Sequence, residues 1–220
     1  MLLMYLVRLM IVLLINPLHE FAHAFTAHKL GDDTAKNMGR MTVDPLVHVD
    51  PFGALLLVFC GFGWAKPVPV NPANFKHKNR DMMIVSVAGP LSNLLAAFAG
   101  MAALQMCGGF ETFVDTSYWV CLPDGSSESY LIWMLYCFVD VNLLLCLFNM
   151  VPVPPLDGSR VLNYFLPPRA SLWFMKNSRV FYGIMFLLMV TGILSVPLNL
   201  ASLFIARGMA WVVSFLPVLM

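Results

Sequence analysis

The chain alternates between long apolar runs and short polar stretches. Residues 2–28 form one apolar segment, interrupted by Asn16-Pro17. Proline lacks a backbone donor, so a kink or a new first turn is expected there, just before His19. Residues 31–51 mix Gly, Pro and Asp with β-prone pieces such as RMTV and LVHV, which predicts extended, hairpin-like structure. The run 52–65, PFGALLLVFCGFGW, is apolar but short for a crossing. Runs of about 10–14 residues are more often re-entrant or buried. Residues 82–106, 130–151 and 180–196 are the better spanning candidates. Pro197 separates the last of these from a final apolar run, 198–219, which either crosses or lies at the interface.

Composition makes the bilayer the solvent. Of 220 residues, 60% are hydrophobic and 11% charged, and the mean hydropathy is +0.78. A soluble domain carries about 25% charged residues, so the polar groups here are too few to cover a water-facing surface. The expected fold is an all-α polytopic membrane protein forming a single domain over 1–220, with lipid as its surroundings. A net charge of +1 says nothing about nucleic acid, and with no basic run dense enough to suggest it, none is expected as a partner. No small-residue cleavage site follows the first apolar run, which is read as a retained helix.

Charge placement predicts the orientation. The loop 66–81 holds Lys66, Lys76, Lys78 and Arg80, and 152–179 holds Arg160, Arg169, Lys176 and Arg179. The loop 107–129 holds only acids: Glu111, Asp115, Asp124 and Glu128. Basic residues accumulate on the cytoplasmic side, so the first two loops face in and the acidic one faces out. Helices 82–106 and 130–151 are then antiparallel, and both ends of 52–65 lie inside, which again favours re-entry. The five cysteines form no CxxC pair and their number is odd. Cys107 and Cys121 flank the acidic loop and are the one candidate disulfide, if that loop faces an oxidising compartment.

The chemistry starts with HEFAH, residues 19–23. On a helix, His19 and His23 at i and i+4 lie one above the other on one face. Two imidazoles at that spacing can bind one zinc ion, with Glu20 beside the open position as a base for water. Ionisable residues in a transmembrane run cost about 2.5–3.5 kcal/mol each, so a chance match is far less plausible here than in a soluble protein. His28 points to the opposite face and is expected at the interface. A catalytic zinc takes three protein ligands. The acids available at depth are Asp140, inside 130–151, and Asp157, in NMVPVPPLDGSRVL. Three prolines forbid a regular helix before Asp157, and irregular backbone at depth survives only against protein or a water-filled cavity.

HExxH followed by N-x-x-P-x-P-P-L-D-G resembles the site-2 protease family of intramembrane zinc metalloproteases. The stretches GRMTVDPLVHVDPFG (39–53), GFGWAKPVPVNP (61–72) and AGPLSN (88–93) are similar to its compact bacterial branch, which lacks a PDZ domain. The resemblance covers residues 10–165. It implies a three-helix core, about 2–165, with additional C-terminal helices, 178–219. It also implies one zinc per chain, held by His19, His23 and Asp157, with Glu20 as general base and water entering from the cytoplasmic side. Asn149 and Asn93 match asparagines that line the family's site, where they would bond an oxyanion or the substrate. The alternative for both is interhelical glue, and Asn142 is left structural. His48 reads as a turn contact rather than a fourth ligand. The stiff segment Lys66–Pro72 is a candidate to pair with unwound substrate.

The expected activity is hydrolysis of peptide bonds in or near transmembrane segments of membrane-protein substrates. The rivals are a catalytically silent, metal-retaining scaffold that binds membrane proteins, and a metal transporter. The intact Glu20 argues against the first, and the scarcity of polar positions beyond the site argues against the second. Oligomeric state is not legible.

Overall fold

The computed structural model describes residues 2–61, 63–107 and 127–216. The chain opens as one rod: α1 (Leu2–Met10), a π-helical turn (Ile11–Ile15) and α2 (Asn16–Lys29). The Asn16 N–H donates to the Ile11 carbonyl, so the ladder widens one turn ahead of Pro17. The donor that proline lacks thus falls where the hydrogen bonds are already rearranged.

Residues 31–50 correct the sequence reading. No strand forms among the described residues, and RMTV and LVHV do not pair. The segment instead holds two one-turn helices, α3 (Thr34–Asn37) and α4 (Pro45–His48). Asp44 accepts from the Leu46 N–H at 3.0 Å, and Pro45 sits in the first helical position. Local capping of this kind outcompetes β-propensity where no partner strand lies alongside.

The short apolar run forms α5 (Pro51–Cys60), ten residues long. Asp50 caps it through the Gly53 N–H at 2.8 Å, and Gly61 ends it in the left-handed region, φ 77°. The chain then returns along its own path. A Cβ on Gly53 would lie 2.3 Å from the Trp64 carbonyl, and the Lys66 N–H donates to the His48 carbonyl at 2.8 Å. Arg8 donates to the carbonyls of Val58 and Phe59, supplying donors to a helix end that has none of its own.

After a 3₁₀ turn (Pro72–Asn74), α6 (Lys78–Met106) and α7 (Ser127–Asn149) form the centre. They run antiparallel, since Asn93 meets Asn142 while Gly100 faces Phe138 and Val139. The core joins Ala97, Met101 and Leu104 of α6 to Val139 and Leu143 of α7, and to the last helix. Then follow α8 (Asp157–Phe165), α9 (Pro168–Lys176), α10 (Ser178–Thr191) and α11 (Ser195–Val213).

Among the described residues, four helices are long and apolar enough to cross a membrane: Tyr5–Lys29, α6, Tyr130–Asn149 and α11. The expected span 180–196 is too short, at 14 residues. The final run supplies the crossing helix instead. The break falls at Gly192, φ 67°, which takes the left-handed cap conformation. Pro197 lies inside the first turn of α11, where its missing donor is not needed.

Candidate metal centre

Three side chains from distant parts of the sequence converge. His19 and His23 project from α2, and Asp157 opens α8. Their ligating atoms all lie within 4.8 Å of one another. The two Nε2 atoms are 3.0 Å apart, and Asp157 Oδ2 lies 3.3 Å from His19 Nε2 and 3.2 Å from His23 Nε2. The i, i+4 spacing on α2 aligns the rings. The bend Val151–Leu156 turns the chain back after α7 so that the carboxylate arrives opposite them.

The far nitrogens decide which way the lone pairs point. His23 Nδ1 sits 2.7 Å from the Val85 carbonyl, which can only accept, so that nitrogen carries the proton. For His19 the same conclusion needs a longer chain. The Phe138 carbonyl accepts from Asn142 Nδ2 at 2.8 Å, so Asn142 Oδ1 must face Asn93 and accept its amide at 2.9 Å. That leaves Asn93 Oδ1 against His19 Nδ1 at 2.6 Å, which must therefore donate. Both Nε2 lone pairs are then free and aimed at Asp157. Acceptors gathered without a donor between them repel, and a cation among them removes the conflict. Two neutral imidazoles and a carboxylate, oriented from behind by hydrogen bonds, are the donor set of an open zinc site.

Gly89 of α6 makes room for the rings. A Cβ there would stand 2.3 Å from His23 Nε2 and 2.6 Å from His19 Cε1. Gly158 does the same for the bend, since its Cβ would lie 2.2 Å from the Met150 carbonyl.

Glu20 meets the extended segment 66–71. Its Oε2 accepts from the Val68 N–H at 2.8 Å. The segment is fastened on either side of that bond. Buried Arg40 donates to the Lys66 carbonyl at 2.8 Å, and Asp32 accepts the Asn71 N–H at 2.7 Å. The Asp32 carboxylate, fully buried, also takes donors from Thr34 and Asn74.

The chain is similar to proteins named as zinc metalloproteases. It is 42% identical over 161 residues to a Bacillus subtilis protein named "Putative zinc metalloprotease YwhC", covering 73% of this chain and 69% of that one. The chain belongs to this zinc metalloprotease family. A Rip2 protein of Mycolicibacterium smegmatis, named in the same terms, is 28% identical over 160 residues. The match takes in 70% of this chain and 55% of Rip2, so the chain spans about half the length of that metalloprotease. Rip2 of Mycobacterium tuberculosis matches to the same degree. No family model matches, and no solved structure does.

Other residues singled out in the sequence fall outside the metalloprotease cluster. Asn149 donates to the Leu145 carbonyl of its own helix at 3.0 Å. Asp140, half-buried on α7, does not join them among the described residues. Buried His48 bonds the Thr42 carbonyl at 2.8 Å, as a turn contact would. His28 is partly exposed and pairs with Asp33. Cys107 is a free thiol; Cys121 lies outside the described residues. Sequence reasoning missed Gly89 and the relay role of Asn142. Gly89 stood in the quoted AGPLSN, and Asn142 shows only as a polar residue in an apolar run.

Proposed function

We propose that the protein is an intramembrane zinc endopeptidase of site-2 type, cutting membrane-protein substrates in or near their transmembrane segments, with one zinc per chain. The convergence of His19, His23 and Asp157 within 4.8 Å, with both histidines on the apolar helix Tyr5–Lys29 that is long enough to span a bilayer, carries this reading. His19, His23 and Asp157 are the ligands. A bound zinc lowers the pKa of its water to about 7 and polarises the scissile carbonyl.

The chain's own residues do the rest. Glu20 is the general base. The Val68 N–H holds one carboxylate oxygen, leaving the other to take a proton from the attacking water and pass it to the leaving amine nitrogen. Asn93 is a positioning residue. It is fully buried, and its amide is engaged by His19 and Asn142, so it orients His19 rather than reaching an oxyanion. Asn149, at the end of α7, is the remaining asparagine for substrate contact. Substrate must leave its helix locally, because helical carbonyls are already hydrogen-bonded, and the extended segment 66–71 lies beside Glu20 to receive such a strand.

The test compares wild type with Glu20→Gln on single-span membrane-protein reporters in detergent. The variant is expected to lose at least about 100-fold in kcat, the scale of general base catalysis, while keeping its zinc. Equal turnover would remove Glu20 from the reaction.

A further inference from the structure

Arg40 is a buried cation that meets no carboxylate. It is 7% exposed, and no ion pair among the described residues includes it. Its Nη2 donates to the Lys66 carbonyl at 2.8 Å and, over a longer 3.3 Å, to the Pro67 carbonyl. Its Nε has no partner among the described residues. Burying a charge on so few acceptors costs stability, and such costs gather at functional sites. The backbone that delivers it is set by α3. Gly39, at φ 66°, ends that helix, and the Arg40 N–H bonds back to the Ala35 carbonyl at 2.8 Å.

A single peptide group separates Arg40 from Glu20. The Pro67 carbonyl and the Val68 N–H belong to the same planar unit. That peptide is trans, so its C=O and N–H point in opposite directions. Arg40 therefore holds one side, and Glu20 Oε2, 2.8 Å from the Val68 nitrogen, takes the other. This is the one hydrogen bond that Glu20 makes among the described residues. Pro67 has a fixed φ, and Lys66 and Val68, each followed by a proline, are kept extended. What stays adjustable is the tilt of the Pro67–Val68 peptide, about ψ of Pro67 and φ of Val68. A cation on its carbonyl resists that tilt, and it also polarises the peptide so that the N–H donates more strongly.

Resting on the protease reading, we propose that Arg40 is a positioning residue for the general base. It fixes the tilt of the Pro67–Val68 peptide, so that the Val68 N–H keeps one oxygen of Glu20 in place and leaves the other to take the proton.

The experiment uses the zinc-loaded full chain and single-span membrane-protein reporters in detergent. Arg40→Ala is expected to lose roughly 10–100-fold, mainly in kcat, since displacing a reacting group by about 1 Å costs on that order. Zinc per chain should equal that of wild type. Arg40→Lys, which keeps the charge and a donor, should recover part of the rate. The effect of Arg40→Ala should vanish in a Glu20→Gln background, because residues that act as a unit are not additive. A loss of equal size in both backgrounds, or one confined to KM, overturns the proposal. A second readout needs no turnover. The sequence holds three glutamates, Glu20, Glu111 and Glu128, so isotope labelling of glutamate carboxyl carbons gives an NMR signal for Glu20 that Glu20→Gln assigns. Arg40→Ala should move that signal, and Arg40→Lys should move it less. If Arg40→Ala does not keep its zinc, Arg40→Lys is read in its place. A Glu20 signal left unmoved in a zinc-loaded variant overturns the proposal. If wild type cuts no reporter, the protease reading fails instead, and the carboxyl signal alone decides whether Arg40 holds Glu20.

Discussion

Gly89 and Asn93 act on the histidines through opposite means. Gly89 leaves space, and replacing it with Ala puts a methyl 2.3 Å from His23 Nε2. In a helix interior Ala is otherwise favoured over Gly by about 0.8–1.0 kcal/mol. Gly89→Ala is therefore expected to keep or raise thermal stability in the absence of metal while zinc affinity, read by chelator competition, collapses. Unchanged affinity would mean that the rings move aside freely. Asn93 fixes a tautomer. Asn93→Ala should weaken zinc binding by roughly 10–100-fold, the usual effect of losing such a partner. Asn142→Ala should cost less, because it only fixes the Asn93 amide. Equal zinc affinity in Asn93→Ala and wild type would remove the relay. The three residues that converge were legible from HExxH spacing and, for Asp157, from the family resemblance. Gly89 and Asn142 were not, because a glycine or a buried amide has no meaning until its neighbour across the helix is known.

At the scale of elements, the extended segment 66–71 depends on groups outside it. Asp32 accepts the N–H groups of Asn71 and Thr34, the Thr34 hydroxyl and the Asn74 amide. Burial pushes its carboxyl up, but the bonds from Thr34, Asn71 and Asn74 outweigh that and hold it below the ordinary carboxylate range. A depressed folded pKa gives stability that is present above the unfolded value, about 3.9, and lost as pH falls through the folded one. Asp32→Asn should therefore melt earlier at neutral pH, by about 1–3 kcal/mol of lost stability. The two proteins should converge in strong acid. A gap that persists there would point to packing rather than charge. Elements with one strong apolar run were readable, including the short helix α5. Residues 31–51 misled because local side-chain bonds, Asp32 to the Thr34 N–H and the Asp44 cap on Leu46, overrode the β-prone composition. The last two apolar runs misled because a proline was read as the break, whereas the chain turns at Gly192 and tolerates Pro197 in a first turn.

For the whole molecule, the site exists only if segments 134 residues apart, His23 and Asp157, are held together by the packing of α2, α6 and α7. That makes metal content the most direct report on the fold and the function together. The deciding measurement is zinc per chain in detergent-purified wild type, His19→Ala and Asp157→Ala, with circular dichroism to confirm folding. About one zinc is expected in wild type, as for an open three-ligand site, with a sharp loss in both folded variants. A metal-free wild type, or Asp157→Ala retaining zinc as tightly as wild type, would contradict the three-ligand centre.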